Sequence, residues 1–439
     1  MEKTDYYDQL SKIDAETARI ENLEQNKIVD VNGADISYGK NGIPGLIGSP
    51  YVFGAACLAS LGGFSFGYDQ GVISIINVMP QFHAVYPRKE TAFRKSFMTG
   101  MLELGAFVGC IFMPALADRI SRKWALAVAV VIFNIGAIMQ TAAPNYRVLV
   151  AGRTIGSIGV GTLAMAEFNA ILTEVEVEKS LQEKHHPGVS GIKLEILGWL
   201  YLLKKKTWRR TAVAVGATFF QQFSGVNGFI YYAPTLFASL GQDPEMALTM
   251  SGIFNILQLV GVALCFVIID HVGRRPLAIF GALGGAITWG IMAVLTGLYS
   301  DDWSSNTSAG WATVAMAFIF ILVFGMSYSC LGWVLPAEVY TGSSRAKGVA
   351  LAVCVNWLCD FTVGVATPPM LESIGFGMYV FYGSMCFLAS IWAYFMVPET
   401  MGKTLEQMDF VFRDGAAQEE MEILESRVCR GVGADHGAV

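Results

Sequence analysis

The sequence predicts an all-α polytopic membrane protein with about ten transmembrane helices. Of its 439 residues, 54% are hydrophobic and only 15% are charged, with a mean hydropathy of +0.48, which is too apolar for a soluble globular protein. A helix needs about 20 apolar residues to cross the hydrocarbon of a bilayer. Ten stretches meet this requirement, at residues 52–76, 97–117, 124–143, 148–168, 211–238, 247–269, 276–298, 311–335, 347–367 and 376–397.

The distribution of Lys and Arg between the loops predicts the orientation of these helices. Loops on one side carry 15 positive residues in total, and loops on the other side carry five. Loops rich in Lys and Arg are retained in the cytoplasm. We therefore expect the richer side to be cytoplasmic. With an even number of spans, both chain termini fall on that side.

Two short charged hairpins lie at corresponding places in the two halves of the chain, each between a pair of apolar segments. They are residues 118–123 (DRISRK) and 270–275 (DHVGRR). This correspondence indicates an internal repeat and hence two helix bundles, with a ligand site between them near the middle of the bilayer. The halves differ in length, because four apolar segments precede the central polar stretch and six follow it.

Further motifs resemble those of the sugar porter family of the major facilitator superfamily, and their wording is most similar to fungal monosaccharide transporters. The resemblance runs from about residue 50 to residue 412. It implies a two-bundle carrier that moves a monosaccharide by alternating access. Besides the hairpins, the motifs are Phe66–Val72, Gln221–Asn227, Pro336–Glu338 with Arg345, Asn356–Trp357, and Pro398–Thr400 followed by Gly402–Glu406.

One part of the family pattern is missing from this chain. Family members have twelve spanning helices, and after the fourth they carry a Pro-x-Tyr-x-x-Glu segment, two more helices and a Pro-Glu-Ser-Pro-Arg segment. Here Gly159–Met165 instead runs directly into Ala166–Val175, which resembles the start of the cytoplasmic linker. We infer an internal deletion, or a mispredicted splice, that removes two helices. Removing an even number preserves the orientation of the second half.

The expected domain organisation follows from this deletion. A four-helix, truncated N-terminal bundle precedes the linker, and a complete six-helix bundle follows it. The charged linker is expected to be solvated rather than to bind nucleic acid. The predicted boundaries are 1–50 for the cytoplasmic N-terminal segment, 51–168 for the first bundle, 169–210 for the linker, 211–397 for the second bundle and 398–439 for the cytoplasmic tail.

A polar stripe on segment 211–238 predicts a hydrophilic cavity. At about 100° per residue, Gln221, Asn227 and Tyr231 fall on one arc, with Gln222 just beyond its edge. Lipid cannot satisfy amides and phenols, so this face must meet protein or water. Neutral amides suit a polyhydroxylated neutral ligand, since each offers donors and an acceptor. Hydrogen bonding between helices alone is the alternative explanation.

The resemblance adds further sugar-binding positions. Trp333, Asn356 and Trp357 match family positions that pack on the sugar ring or bond its hydroxyls. Gln258 lies at the depth where the family usually places an asparagine, whereas Asn255 lies one turn earlier, and which of the two contacts sugar is open. The predicted sugar-binding set is Gln221, Gln222, Asn227, Tyr231, Gln258, Trp333, Asn356 and Trp357.

Ionisable groups inside the predicted spans require a reason, because an isolated charge in hydrocarbon is costly. The resemblance implies that Asp69 and Arg153 carry proton coupling, since this pair is the mark of proton-coupled family members. Separating the pair in a dry site would favour proton uptake by Asp69. A static ion pair holding two helices together is the alternative. No partner is evident for Glu103, and the role of Asp360 is equally open.

The charged hairpins are interpreted as a cytoplasmic gate, closed by ion pairs when the carrier opens outward. In the first hairpin, Ser121 replaces the usual glycine, and Pro114 stands where another glycine is typical. The usual first-half partners of the hairpins belong to the deleted stretch, so the gate is expected to be incomplete on one side. The predicted gate residues are Asp118, Arg119, Arg122, Asp270, Arg274, Arg275, Glu338 and Arg345.

The expected activity is monosaccharide transport by proton symport in the plasma membrane. The sequence contains no GxxxxGK[ST] or HExxH motif, and its GxSxG match at residues 63–67 lies inside the predicted span 52–76, so we expect neither an enzyme nor a cofactor or metal site. The expected partners are the sugar, the proton and the lipid bilayer, with no obligate protein partner. A facilitative uniporter and a truncated, non-transporting product remain open, and the short tail disfavours a regulatory sensor. The ten-helix form itself is expected to be inactive.

Overall fold

The computed structural model describes residues 54, 67–68, 70–86, 91–120, 122–171, 198–204, 207–340, 342–403, 408 and 411–412. All regular secondary structure in this part of the chain is helical. Except for Gly54, the described residues belong to one compact unit, Gly62–Val439. The helices are α1 (Pro80–Val85), α2 (Ala92–Ile120), α3 (Arg122–Thr141), α4 (Tyr146–Ile171), α5 (Trp208–Phe223), α6 (Val226–Ser239), α7 (Pro244–Val272), α8 (Arg274–Tyr299), α9 (Thr307–Gly325), α10 (Tyr328–Val339), α11 (Gly342–Ile374) and α12 (Gly377–Met396).

Within the described residues, five helical stretches are long and apolar enough to cross a membrane. They contain nearly all of the last five predicted spans, which confirms those segments as membrane-spanning by length and composition. Shorter apolar stretches occur in α2 and α3, at two of the earlier predicted spans. Most of the predicted span at residues 52–76, and residues 172–197 and 205–206 of the linker predicted at 169–210, lie outside the described residues. The five stretches are Pro244–Val272, Arg274–Tyr299, Thr307–Val339, Lys347–Ile374 and Gly377–Met396.

The prediction of a single helix over residues 211–238 is wrong in one respect, because this segment forms two helices, α5 and α6. Gly225 separates them with a φ of +84°, in the left-handed region that only glycine adopts at no steric cost. The freed carbonyl of Ser224 accepts a hydrogen bond of 2.9 Å from Trp289 Nε1 on α8. A second irregularity follows in α6 at Tyr232, two residues before Pro234. The polar arc is therefore carried by two helices rather than by one.

Aromatic side chains form the core of the second half. Phe229 on α6 lies at the centre, with its ring centroid 5.1 Å from Phe254, 5.4 Å from Trp289 and 6.4 Å from Phe320. All four side chains are buried, and they come from α6, α7, α8 and α9. Such clusters bury a large apolar area and favour tilted and offset ring geometries. This core fixes the position of α6 and therefore of the polar side chains on its other face.

Close backbone contact joins α2 to α4 in the first half. A Cβ added at Gly161 on α4 would lie only 2.0 Å from the carbonyl oxygen of Ala106 on α2, and one added at Gly109 would lie 2.3 Å from the carbonyl oxygen of Ile158. Small residues let helix backbones approach in this way within a membrane. On another face, α2 packs against α11 of the second half, where Gly100 faces Phe361 and Val365. The helix α2 thus connects the two halves.

Candidate functional site

Three neutral amides, two of them buried and one half-buried, form a hydrogen-bonded chain that crosses the break between α5 and α6. Asn227 Nδ2 on α6 donates to Gln222 Oε1 on α5 at 2.7 Å, and Gln222 Nε2 donates to Asn356 Oδ1 on α11 at 2.9 Å. Gln222 is 5% exposed and Asn356 is 2% exposed. We call these three residues the amide chain. The structure thus brings together three of the predicted sugar-binding residues, although none was predicted to contact another.

Gln221 points toward α10 rather than into the amide chain. Its Nε2 donates to the carbonyl oxygens of Tyr328 at 3.1 Å and of Ser329 at 3.4 Å. Its Oε1 is buried and has no hydrogen-bond partner within the described residues. A buried amide oxygen without a partner is costly, so it is a place where a hydroxyl donor would be favourable. Gln221 therefore offers an acceptor one residue before Gln222.

The remaining predicted sugar-binding residues are distributed over three helices. Trp357 on α11 is 3% exposed and packs beside Cys110 of α2. Trp333 on α10 is 43% exposed, and Gln258 on α7 is half-buried. Within the described residues, neither Trp333 nor Gln258 forms a hydrogen bond with the amide chain. Asn255, the alternative to Gln258, donates to the carbonyl of Ser251 in its own helix at 3.1 Å.

Tyr231 joins two buried carboxyl groups from different halves of the chain. Its hydroxyl lies 2.7 Å from Glu103 Oε1 on α2 and 3.0 Å from Asp360 Oδ2 on α11. Gln70 Nε2 donates to the same hydroxyl at 2.9 Å. Glu103 and Tyr231 are 0% exposed, and Asp360 is 2% exposed. We call Glu103 and Asp360 the carboxyl pair. Sequence reasoning had noted both residues without partners, and had assigned Tyr231 only to sugar binding.

Only one residue of the predicted proton-coupling pair, Arg153, lies within the described part of the structure. Arg153 on α4 is 3% exposed, and it lies close enough to Glu103 and Tyr232 for a direct charge interaction. Asp69 lies outside the described residues. The role of the pair therefore stays a prediction. The structure adds that a buried positive charge stands beside the carboxyl pair.

The second charged hairpin forms an ion-pair cluster. Arg274 Nη2 lies 3.1 Å from Asp270 Oδ1 and 2.8 Å from Glu338 Oε1, and Thr400 Oγ1 donates to Glu338 Oε2 at 2.6 Å. These four residues, together with Glu399, are called the Arg274 cluster. They join the start of α8, the end of α10 and the segment after α12. The contacts are those expected of a gate, whose opening and closing remain a prediction.

The other predicted gate residues make different contacts or are not described. Arg275 Nη2 donates to the carbonyl of Tyr394 at 2.8 Å, and its guanidinium lies 5.5 Å from the ring centroid of the same tyrosine. Arg345 Nε has no hydrogen-bond partner within the described residues. The side chains of Asp118, Arg119 and Arg122 lie outside the described part of the structure.

Glu399 caps the N-terminus of α8, which is a role that sequence reasoning missed. Its Oε1 accepts from the backbone N–H of Arg274 at 2.9 Å, and its Oε2 accepts from that of Arg275 at 3.1 Å. The backbone N–H groups of Thr400 and Met401 also donate to Oε1. Burial raises the pKa of Glu399, but these four donors outweigh it and hold the pKa below its usual range. The Pro-Glu-Thr motif was the available signal, because an acid beside a helix start is stabilised by its free N–H groups.

Glu399→Gln is expected to lower the free energy of unfolding by about 1 kcal/mol at neutral pH, the usual worth of a helix cap. The pKa of Glu399 is lower in the folded protein than in the unfolded chain. Its contribution is therefore complete above the unfolded pKa of about 4.3 and is lost as pH falls through the folded pKa. Thermal unfolding of the wild type and the variant, followed from pH 7 to pH 3, measures this difference.

The matched control for this prediction is Glu372→Gln, which neutralises an exposed acid near the end of α11 that makes no hydrogen bond within the described residues. Its stability should match that of the wild type at every pH. The stabilities of the wild type and Glu399→Gln should converge as the pH falls through the folded pKa of Glu399. If the free energy of unfolding falls equally steeply with decreasing pH in the wild type and in Glu399→Gln, the Glu399 carboxylate does not contribute to the acid dependence of stability.

The sequence model of the family described as "Sugar (and other) transporter" matches residues 55–167 and 164–412. These two segments together cover most of the chain and meet at residues 164–167. Among curated relatives, Sugar transport protein 7 of Arabidopsis thaliana is 23% identical over 464 residues, covering 82% of this chain and 90% of the relative. The D-xylose-proton symporter of Escherichia coli is 25% identical over 480 residues, covering 82% of this chain and 96% of the relative.

Solved structures show the same fold. The proton:xylose symporter XylE of the major facilitator superfamily, bound to 6-bromo-6-deoxy-D-glucose, matches with a TM-score of 0.63 and 22% identity over 82% of this chain and 99% of that chain. The inward-open XylE of Escherichia coli matches with a TM-score of 0.62. Members of this family are membrane transporters rather than enzymes. The protein is an integral membrane protein that belongs to the family described as "Sugar (and other) transporter", and it has the fold of the major facilitator superfamily carrier XylE.

Proposed function

We propose that this protein transports a monosaccharide by proton symport, with alternating access between the two sides of the plasma membrane. The observation that carries the proposal is the amide chain, in which Asn227, Gln222 and Asn356 are hydrogen-bonded, Gln222 and Asn356 being buried and Asn227 half-buried. Relatives named as sugar transporters, glucose transporters and a xylose-proton symporter support the substrate class.

The amide chain suits sugar hydroxyls in both charge and bonding capacity. Each hydroxyl is one donor and an acceptor, and each side-chain amide offers two donors and an acceptor. A sugar can therefore exchange hydrogen bonds with Gln222 and Asn227 without leaving a buried group unpaired. The unpartnered Oε1 of Gln221 adds an acceptor at the same level of α5. These neutral groups favour a neutral polyol over an ionic substrate.

Proton coupling is proposed at Asp69 and Arg153, on the strength of the family resemblance and of the buried position of Arg153. The Arg274 cluster is proposed as the second-half part of the cytoplasmic gate. Breaking the ion pairs of Arg274 with Asp270 and Glu338 would free the end of α10 from the start of α8. In this scheme both termini face the cytoplasm.

Symport predicts that sugar accumulates against its gradient when the outside is acidic, and that an uncoupler abolishes accumulation. Radiolabelled hexose and pentose uptake, in cells lacking their own sugar carriers, measures this at several external pH values. The Asp69→Asn variant should no longer accumulate sugar, because a neutral amide cannot take up the proton. It should still carry sugar down its concentration gradient. Uptake by the wild type that is insensitive to pH and uncoupler, and that stops when inside and outside sugar concentrations are equal, would contradict symport and indicate the facilitative uniporter.

A second candidate is a shortened, non-transporting form, and two findings favour it. The family model matches in two segments that meet at residues 164–167, where the sequence indicates an internal deletion. The alignments with relatives extend over 464 and 480 positions, which exceeds the 439 residues of the chain. Sequencing the transcript across the codon for Met165 tests this candidate. A transcript that encodes two further helices there would identify the ten-helix form as a splice product, and uptake by both forms should then be compared.

A further inference from the structure

We propose that Glu103 and Asp360 form a proton-binding site, which holds one proton through Tyr231 and joins the two halves of the carrier. Its part in transport rests on the proposed symport, whereas the binding of the proton does not. Glu103 comes from α2 in the first half, and Tyr231 and Asp360 come from α6 and α11 in the second half. Neither carboxyl group of the pair belongs to Asp69, the residue to which the family resemblance points.

Counting hydrogens at the Tyr231 hydroxyl shows why a proton is needed. The oxygen carries one hydrogen and two lone pairs. Gln70 donates to it at 2.9 Å and uses one lone pair. Its single hydrogen can be donated to only one of the two carboxyl groups, which lie at 2.7 and 3.0 Å. The other contact is attractive only when that carboxyl group is protonated and donates to the remaining lone pair. All three contacts are then satisfied by one proton on the pair.

The surroundings of the pair keep the number of protons at one. A second proton would leave no carboxylate opposite Arg153 on α4, whose positive charge lies beside Glu103. With no proton, two negative charges would share one donor in a site where Glu103 is 0% and Asp360 is 2% exposed. The other polar groups facing the pair are Gln70 and Asn227 on α6, whereas the hydroxyl of Tyr232 is directed to the carbonyl of Gly364. Among the described residues, one carboxylate therefore faces one cation.

Opening of the carrier gives the proton an exit. When the halves separate, α2 withdraws Glu103 from Tyr231 and Asp360, and water reaches both carboxyl groups. Each then ionises as an ordinary acid, and the shared proton passes to water. Closing the halves takes one proton up again. Because one proton is bound on closing, each unit of acidification should favour the closed contact by up to about tenfold.

Infrared difference spectroscopy of the full chain in lipid nanodiscs tests the pair directly. The wild type should show the C=O stretch of a protonated carboxylic acid at neutral pH. Either Glu103→Gln or Asp360→Asn should remove this band, because Tyr231 can then donate to the one remaining carboxylate and accept from the new amide. Tyr232→Phe is the matched control, since its hydroxyl donates to the carbonyl of Gly364 at 2.9 Å, and it should retain the band.

The outcomes separate this site from the proposed function. A wild type without the acid band, or a band that persists unchanged in both single variants, would overturn the proton-binding pair even if sugar uptake is coupled to protons. The band with its predicted losses would support the pair even if no sugar is carried. If the single variants are recovered in poor yield, Tyr231→Phe provides the second test, because loss of the bridging hydroxyl should shift the frequency of the band. An unshifted band in Tyr231→Phe would contradict bridging by that tyrosine.

Discussion

Replacing Gly161 with alanine should lower the free energy of unfolding by about 3 kcal/mol, at the upper end of the usual cost of overpacking. The new Cβ would lie 2.0 Å from the carbonyl oxygen of Ala106, which is backbone and cannot rotate away. Helix α4 must therefore move away from α2, and the contacts around Gly109 are lost with it. Detergent extracts of the variant should show a lower midpoint of thermal unfolding and less monodisperse protein on size-exclusion chromatography.

Gly290→Ala provides the control for this substitution. Gly290 lies inside α8, and apart from the backbone of its own helix no atom of the described residues lies within 4 Å of the position that its Cβ would occupy. Alanine favours helix over glycine by about 0.8–1 kcal/mol in exposed helix interiors, so this variant should be as stable as the wild type or slightly more stable. Equal losses in both variants would indicate a general intolerance to alanine, and would contradict the close contact between α2 and α4.

Gln222→Ala is expected to weaken the apparent affinity for sugar by about 10–100-fold, equivalent to about 1.4–2.8 kcal/mol. The substitution removes the central member of the amide chain. It leaves the half-buried Asn227 Nδ2 and the buried Asn356 Oδ1 without Gln222 as a partner, and an unpaired buried group costs about 1–3 kcal/mol. Sugar uptake as a function of concentration, together with thermal unfolding, measures both effects.

Asn134→Ala provides the control for the loss of an amide in a spanning segment. Asn134 on α3 is exposed, and its Nδ2 donates to the carbonyl of Val130 in its own helix at 2.8 Å. Its removal should leave sugar affinity unchanged. Should Gln222→Ala take up sugar with wild-type affinity, the amide chain would be an interhelical brace and not a substrate site, which is the alternative that the sequence left open.

The spans of the second half could be predicted because their signal is local. A run of about 20 apolar residues is read directly from neighbouring positions. The break at Gly225 escaped prediction for a physical reason. A glycine in an apolar helix is common, and the left-handed backbone at this residue is supported by groups distant in sequence, such as Trp289, which bonds the carbonyl of Ser224. Periodicity alone gives no sign of such a contact.

The candidate site likewise contains residues that the local sequence could predict and contacts that it could not. Gln222 and Asn227 could be selected from the sequence because polar amides in a membrane segment are conspicuous. The carboxyl pair could not be assembled, since Tyr231 is 128 residues from Glu103 and 129 residues from Asp360 along the chain. Glu399 was visible only as part of a motif, and its capping of α8 depends on a contact across 125 residues. Long-range partners of this kind come from the tertiary fold.

The interruption at Gly225 gives the hydrogen bond between Asn227 and Gln222 a mechanical meaning. The regular helical hydrogen bonding of the backbone is interrupted at Gly225. The side-chain hydrogen bond of 2.7 Å between Asn227 and Gln222 therefore holds α5 and α6 together across the break. A ligand that hydrogen-bonds to either amide in its place would break the bond between Asn227 and Gln222, and α5 and α6 could then change their relative angle. Ligand binding would thereby change the angle between α5 and α6 at Gly225.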